Sequence, residues 1–186
     1  MITGFGRLGA PFAARALDVT PDIMCCAKGL TNGSVPMGAT IAREDIFQAI
    51  ADRPAGQIEL FHGYTYSAHP LACAAALAAM DVYEEEDLFG RVRKLAPAWA
   101  QSAHALKGAR HVCDVRSIGL LAGIELQPRE GAAGARGAEA GQRCFEAGML
   151  VRNSGDTLLL SPPFIIDEEQ IAQVFGTIGT VLAAVP

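Results

Sequence analysis

The chain is poor in lysine and has no excess of positive charge. Its 15 Lys and Arg residues are outnumbered by 20 Asp and Glu, which gives a formal net charge of −5 over 186 residues. Such a balance offers no row of cations to neutralise a phosphate backbone, so we exclude non-specific nucleic-acid binding. The only lysines are Lys28, Lys94 and Lys107. A reaction that needs a lysine amine therefore has few candidates.

Long apolar runs and paired cysteines are also missing. No apolar stretch reaches the roughly 20 residues that a membrane-spanning helix needs, and the first residues do not have the pattern of a signal peptide. We therefore expect a cytoplasmic protein that does not contact a membrane. The 5 cysteines form no CxxC pair, and their odd number favours free thiols over disulfides or a metal site.

The hydrophobic pattern indicates a globular α/β chain, with 51% hydrophobic and 19% charged residues. Apolar runs of strand length alternate with helical periodicity. Strands are expected at 23–27, 37–42, 112–116, 120–126, 149–151 and 157–160. Helices are expected at 12–17, 44–51, 71–85, 88–106 and 138–147, with a last one starting at a capping box formed by Asp167 and Gln170.

The composition shifts near Glu86, and we divide the chain there. Residues 1–86 contain about two convincing strands, which are too few to complete an α/β sheet. Residues 87–186 contain a fuller series of helices and strands. We therefore expect an incomplete first domain followed by a more complete second one.

Gly4, Gly6 and Gly9 match the GxGxxG spacing of dinucleotide-binding proteins. That motif requires a strand directly before it and an acidic residue after the following strand. Only three residues precede Gly4 here, and the next expected strand leads into Lys28. A glycine-rich turn is the favoured interpretation.

Lys28 ends the apolar run 23–27 and is followed by Gly29. The carboxyl end of a buried strand in an α/β sheet opens onto the ligand crevice. Burial in that crevice would favour the neutral, nucleophilic form of a lysine amine. A surface lysine whose stem covers apolar residues would give the same pattern, and both interpretations remain open at this point.

Residues 61–70 concentrate hydroxyl and imidazole side chains just before Pro70, a favoured first residue of a helix. Hydroxyls and free N–H groups at such a place can hold a phosphate. A helix cap with aromatic packing is the alternative. A metal site at His62 and His69 is disfavoured, because no third ligand lies at a recognisable spacing.

Arg152 follows the apolar residues 149–151 and precedes a turn at 153–156. A guanidinium at the end of a strand can bind a carboxylate through two parallel hydrogen bonds. A solvated surface arginine is the alternative interpretation.

Taken in order, these segments resemble the class III aminotransferases, which are pyridoxal 5′-phosphate (PLP) enzymes of fold type I. The similar segments span essentially the whole chain and are residues 2–7, 27–33, 36–39, 61–70, 119–126, 128–131, Arg152 and 161–163. Residues 62–70 and 128–131 are most similar to ω-amino acid (β-alanine):pyruvate aminotransferases. The resemblance implies that 1–86 is the C-terminal part of the PLP-binding large domain and 87–186 a C-terminal small α+β domain.

The resemblance also implies roles for three residues. Lys28 is similar to the lysine that forms a Schiff base with PLP and then moves a proton between the substrate Cα and the cofactor C4′. Thr65 is similar to the residue that reaches the PLP phosphate of a neighbouring subunit, which implies a homodimer. Arg152 is similar to the arginine that pairs with the substrate carboxylate. No metal is implied.

The implied function is transfer of an amino group from an ω-amino acid or amine to pyruvate. The family pattern places Asp-Glu-Val before residues 2–7, whereas this sequence has Met1 in place of the valine. That aspartate pairs with the pyridinium nitrogen, so we expect the C-terminal part of a longer enzyme, with impaired turnover on its own.

Three other functions compete with this one. A different fold-type-I activity, such as an aminomutase, racemase or decarboxylase, would keep the cofactor. A non-catalytic remnant would act as a dimerisation or interaction module. A nucleotide-binding domain would need a strand before Gly4.

Overall fold

The computed structural model describes residues 2–52, 54, 56–58 and 60–186. The chain folds into two compact units. The first comprises the residues up to Gly6 together with Ala10–Asp87, and the second comprises Arg7–Gly9 and Leu88–Pro186.

The first unit consists of a two-stranded sheet and helices. In chain order its elements are α1 (Ala13–Ala16), β1 (Ile23–Ala27), a 3₁₀ turn (Lys28–Leu30), β2 (Gly38–Ala42), α2 (Glu44–Ala51) and α3 (Pro70–Glu85). Strands β1 and β2 are antiparallel, with Ile23 opposite Ala42 and Ala27 opposite Gly38. The predictions of both strands and of α2 are confirmed to within one residue, and Pro70 is the first residue of α3 as expected.

The first unit buries little apolar surface, so the expectation of a buried strand at β1 is wrong. Only Cys26 of β1 is buried, because a sheet of two strands leaves most of its surface open among the described residues. Phe61 is 92% exposed and Leu71 of α3 is 69% exposed. The buried hydrophobic side chains of this unit are Phe5, Cys26, Leu30, Ala72, Ala76 and Tyr83.

Residues 4–9 form a turn rather than a dinucleotide-binding motif. The Phe5 amide donates to the Pro11 carbonyl at 2.6 Å and the Gly6 amide donates to the Ala10 carbonyl at 3.2 Å. The following helix, α1, begins only at Ala13 and has 4 residues. A pyrophosphate site requires a strand, a tight turn and a long helix in direct succession, and residues 2–16 do not form that succession.

The second unit is an antiparallel sheet covered by helices. Its elements are α4 (Leu88–His104), β3 (Val112–Ile118), β4 (Leu121–Leu126), α5 (Ala135–Glu146), β5 (Arg152–Ser154), β6 (Thr157–Leu160) and α6 (Glu168–Ala184). The strand order is β3-β4-β6-β5. In β4, Ala122, Ile124 and Leu126 are buried and alternate with partly exposed residues, which is the pattern of a sheet with one covered face.

The main hydrophobic core belongs to the second unit. Trp99, Ile124, Leu158 and Ile178 are among its fully buried side chains, and the Trp99 ring meets Phe175 edge-on at 4.8 Å between centroids. The capping box predicted at Asp167 and Gln170 is confirmed. Among the described residues, no helix is both long enough and apolar enough to cross a membrane.

Two elements in the second unit begin three residues away from their predicted starts, whereas the bounds of the other elements differ by at most two residues. The strand expected at 149–151 is found at Arg152–Ser154, and the helix expected at 138–147 begins earlier, at Ala135. Residue Met149 instead closes the end of α5, since its amide donates to the Cys144 carbonyl at 2.9 Å.

Candidate active site

Lys28 lies directly after β1, where the backbone turns into the 3₁₀ segment. Its φ is +58°, in the left-handed region that non-glycine residues seldom adopt. The next residue must be glycine, because a Cβ on Gly29 would lie 2.7 Å from the Phe5 Cβ. The Tyr83 hydroxyl donates a hydrogen bond of 2.6 Å to the Gly29 carbonyl. Packing of Phe5 and Tyr83 therefore fixes the backbone beside Lys28.

The Lys28 side chain is exposed. The expectation that a buried strand places it in a dry crevice is wrong for these 186 residues, because β1 itself is largely uncovered. Its ammonium group forms no hydrogen bond or ion pair with any described residue. A primary amine without a competing partner fits the chemistry of attachment to an aldehyde cofactor.

Thr65 lies in an exposed turn that leads into α3. Its Oγ1 donates to the Gly63 carbonyl at 2.8 Å, and the turn is closed by the Ser67 amide, which donates to the Tyr64 carbonyl at 2.9 Å. The N-cap of α3, His69, makes no side-chain capping bond. The one hydroxyl proton of Thr65 is thus donated to the Gly63 carbonyl, and a bond to a phosphate oxygen would replace this exposed contact.

Arg152 is the first residue of β5, an edge strand of the second sheet, and is paired with Leu159 of β6. Its side chain is exposed and makes no hydrogen bond or ion pair with the residues the structure describes. The guanidinium of Arg116 differs, because Asp114 and Glu125 bind it at 2.5 and 2.6 Å. Those carboxylates neutralise the charge of Arg116. Of the two arginines in the strands of this sheet, Arg152 is therefore the one whose guanidinium is available to a ligand carboxylate.

A cavity of about 610 Å³ opens beside Arg152 in the second unit. The segments 147–152, 159–163 and 165–166 and residues of α6 line it. Trp99 lines it as well, and its Nε1 is buried with no hydrogen-bond partner among the described atoms. A concave, mainly apolar surface with a few polar groups is typical of small-molecule sites.

Asp156 supports the hairpin that carries Arg152, and sequence analysis assigned it only to a turn. Its carboxylate accepts hydrogen bonds from the Gly134 amide at 2.6 Å and the Gly137 amide at 2.9 Å. Burial raises the pKa of this carboxyl, but the backbone bonds from Gly137, Gly134 and Arg136 lower the pKa more, so that it lies below the usual value. An aspartate directly before a strand gives no sequence signal for this role, because its partners lie about 20 positions earlier.

The structure distributes the three predicted site residues over both units. Lys28 and Thr65 belong to the first unit, and Arg152 belongs to the second. No hydrogen bond among the described residues joins Lys28 to Thr65. Within the same residues, no three His, Cys, Asp or Glu side chains are grouped as metal ligands.

Comparison with known proteins gives matches along the whole chain. The family model for class III aminotransferases matches residues 1–182. An omega-aminotransferase of Caulobacter vibrioides is 54% identical over 185 residues. An omega-amino acid–pyruvate aminotransferase of Pseudomonas putida is 45% identical over 184 residues. These alignments cover 100% and 98% of this chain but 42% and 41% of the relatives, so the chain spans about two fifths of their length.

Solved transaminase structures are similar to the same extent. A transaminase with L-alanine has a TM-score of 0.91 and 32% identity, and the match covers 99% of this chain and 45% of that one. An amine transaminase from an uncultivated Pseudomonas species, in a PLP-bound internal aldimine form, has a TM-score of 0.89 and 34% identity over 99% of this chain and 43% of that one. These matches confirm the resemblance and the fold expected from the sequence. The chain belongs to the class III aminotransferases, a family whose cofactor is pyridoxal 5′-phosphate.

Proposed function

We propose that the chain supplies the reactive lysine and part of the substrate site of an aminotransferase that moves an amino group from an ω-amino acid or amine to pyruvate. The observation that carries this proposal is Lys28, whose amine has no partner among the described residues although its backbone is fixed by Gly29 and Tyr83. The names of the relatives in Caulobacter vibrioides and Pseudomonas putida support the reaction class.

Each predicted site residue has a chemical task in this reaction. PLP, when bound, withdraws electrons from the carbon that carries the amino group and so makes its proton removable. The Lys28 Nζ would hold the cofactor, and its neutral amine would accept and return that proton. The Thr65 hydroxyl would donate a hydrogen bond to a phosphate oxygen in place of its present bond to the Gly63 carbonyl. The Arg152 guanidinium would bind the substrate carboxylate through two hydrogen bonds.

We further propose a homodimer, in which Thr65 serves the cofactor of the second copy. The exposed apolar side chains of the first unit support an extended contact surface, and Leu71 and Leu77 of α3 are 69% and 63% exposed. Exposed apolar area of this kind is typical of protein contacts. The division into a PLP-binding part at 1–86 and a small domain at 87–186 stays a prediction. The same open surface favours the alternative of a non-catalytic interaction module.

Because Lys28 is exposed, we expect weak turnover from these 186 residues alone. Water competes for an exposed amine and screens the charges around it, whereas proton transfer is faster in a dry site. A coupled assay with β-alanine measures alanine in the presence and absence of pyruvate. Transamination forms alanine only when pyruvate is present, whereas an aminomutase would form it from β-alanine alone and a racemase or a decarboxylase would not form it. Turnover comparable to that of the relatives would contradict the expectation.

The cofactor role of Lys28 is tested by reductive trapping. The purified chain is mixed with PLP, treated with borohydride, digested and analysed by mass spectrometry. We expect the adduct mainly at Lys28 and its loss in Lys28→Ala. Lys107→Ala is the matched control, because Lys107 is also exposed but lies in the second unit. Equal labelling of Lys28, Lys94 and Lys107 would contradict the proposal.

A further inference from the structure

The hairpin of β5 and β6 lies directly on the backbone of α5. A Cβ on Gly137 would be 2.3 Å from the Gly155 carbonyl oxygen and 2.7 Å from the Asp156 Cα. One helical turn further, a Cβ on Gly141 would be 3.4 Å from the Asn153 Oδ1. These approaches are possible only because α5 has glycine on the side that meets the hairpin. The hairpin is therefore held at backbone distance from the helix.

Asp156 caps α5 from outside the helix. The N-cap residue, Gly134, has a φ of +83° and has no side chain with which to cap. The two Asp156 oxygens instead accept from the Gly134 and Gly137 amides. A carboxylate at this position satisfies free N–H groups of the first turn and interacts favourably with the helix dipole.

The main chain of Asp156 is fixed as well. Its carbonyl accepts a hydrogen bond of 2.9 Å from the Leu126 amide, at the end of β4. The residue thus joins the tip of the hairpin to the neighbouring strand through its backbone and to α5 through its side chain. Replacement of the side chain removes the second connection and leaves the first in place.

Arg152 depends on this anchor because its own strand is short. Strand β5 has 3 residues and lies at the edge of the sheet, where β6 is its one partner strand in the described part of the chain. A strand this short, with one neighbour, opens easily unless a further contact fixes it. We infer that Asp156 is a positioning residue for Arg152, because it holds the hairpin that presents the guanidinium to a substrate carboxylate. This inference rests on the proposed role of Arg152.

The test uses the full chain, labelled with ¹⁵N, and two substitutions of graded effect. Asp156→Asn keeps one acceptor oxygen and loses the other, and Asp156→Ala loses both. Heteronuclear NOE values of residues 152–154 report how well β5 is ordered. Titration with pyruvate, followed at the Arg152 Nε–H signal, reports carboxylate binding. We expect lower NOE values at 152–154 and an increase of the pyruvate Kd by up to about fivefold in Asp156→Asn and up to about thirtyfold in Asp156→Ala, since hydrogen bonds of this kind contribute about 1 kcal/mol each.

Asp167→Ala is the matched control for Asp156→Ala. Asp167 is also a helix-capping aspartate of the second unit, since it accepts from the Gln170 amide at 2.8 Å, but its side chain forms no hydrogen bond with the hairpin among the described residues. We expect this variant to lower the urea midpoint like Asp156→Ala while the NOE values at 152–154 and the pyruvate Kd stay at the wild-type level. A general loss of stability would change both variants alike.

The outcomes separate this inference from the proposed function. If residues 152–154 stay ordered in Asp156→Ala and pyruvate binds as tightly as before, Asp156 does not position Arg152, and the carboxylate role of Arg152 is untouched. If the Arg152 signal of the wild-type chain does not respond to pyruvate at all, the proposed role of Arg152 is wrong and the inference is overturned with it.

Discussion

The Tyr83 hydroxyl donates a hydrogen bond of 2.6 Å to the carbonyl oxygen of Gly29, the residue that follows Lys28. Tyr83 belongs to α3, the helix that begins five residues after Thr65. Its ring also stacks on Phe5 at 6.3 Å between centroids. The backbone next to Lys28, the predicted cofactor lysine, is therefore held by α3. The same helix directly follows the turn that carries Thr65, the predicted phosphate ligand, so α3 supports both residues.

Substitution of Tyr83 tests this connection. Tyr83→Phe keeps the ring and its packing but removes one of two donors to the half-buried Gly29 carbonyl, which then accepts from the Asn32 amide at 3.3 Å alone. We expect this loss to cost about 1 kcal/mol. We expect faster hydrogen exchange of the 3₁₀ turn and a lower urea midpoint of the first unit. Tyr66→Phe is the control, because Tyr66 is 86% exposed and its hydroxyl can bond to water in both states. Equal effects of the two substitutions would contradict the role of Tyr83.

Much of the secondary structure could be predicted because its signals are local. The apolar runs of β1 and β6, the proline that starts α3 and the capping box of α6 depend on residues within a few positions of each other. Lys28 and Arg152 could be named as candidates for a similar reason, since each follows an apolar run directly.

The features that sequence reasoning missed depend on distant contacts. The start of α5 was expected at Ala138 but lies at Ala135. Gly134 has no capping side chain, and Asp156 supplies the cap from 22 residues away. The hydroxyl of Tyr83 acts on Gly29 across 54 positions. The exposure of Lys28 was missed for a different reason. An apolar run indicates that a strand is suited to burial, but it does not show whether other residues cover that strand.

Glycine substitutions test the close approach of the hairpin to α5. In Gly137→Ala the new methyl group would meet the Gly155 carbonyl oxygen at 2.3 Å. The backbone at Gly155 cannot move aside as a flexible side chain can, so we expect the free energy of unfolding to fall by about 1–3 kcal/mol. The control is Gly176→Ala in α6, where a Cβ would meet nothing within 4 Å. Since alanine favours helices over glycine, that variant should gain about 0.5–1 kcal/mol. Urea unfolding measures both changes, and a neutral or stabilising Gly137→Ala would show that the hairpin is not held at this distance.

The five cysteines should react at different rates with a thiol reagent. All of them are free; Cys25 and Cys113 are exposed, whereas Cys26 and Cys144 are buried. Burial raises the pKa of the Cys144 thiol, which lowers its reactive thiolate fraction further. We therefore expect iodoacetamide to modify Cys25 and Cys113 first and Cys144 last in the native chain. Mass spectrometry of a time course measures the order, and unfolding in urea should abolish it. Early labelling of Cys144 in the native chain would contradict the packing of α5.

His111 should make the stability of the second unit dependent on pH. Burial lowers the pKa of its imidazole, and the positive charges of Arg136, Arg110 and Arg129 lower the pKa further, although the hydrogen bond to the Val185 carbonyl at 3.2 Å opposes them. In the unfolded chain the same group has its usual pKa of about 6.5. The unfolded state therefore binds more protons between these two pKa values, so stability should be highest above about pH 7 and should fall as the pH drops below about 6.5.

His111→Gln removes the titrating group and can keep a donor near Val185. We expect the urea midpoint of this variant to change less than that of the wild-type chain between pH 8 and pH 5.5, and the two to be closest at pH 8, where the imidazole is neutral in both states. The carboxyl of Asp156, whose pKa lies below its usual value, loses its contribution only at lower pH, below about 4. The difference between the two curves from pH 8 to pH 5.5 thus reports on His111, and parallel curves for the two proteins over that interval would show that its protonation is not linked to folding.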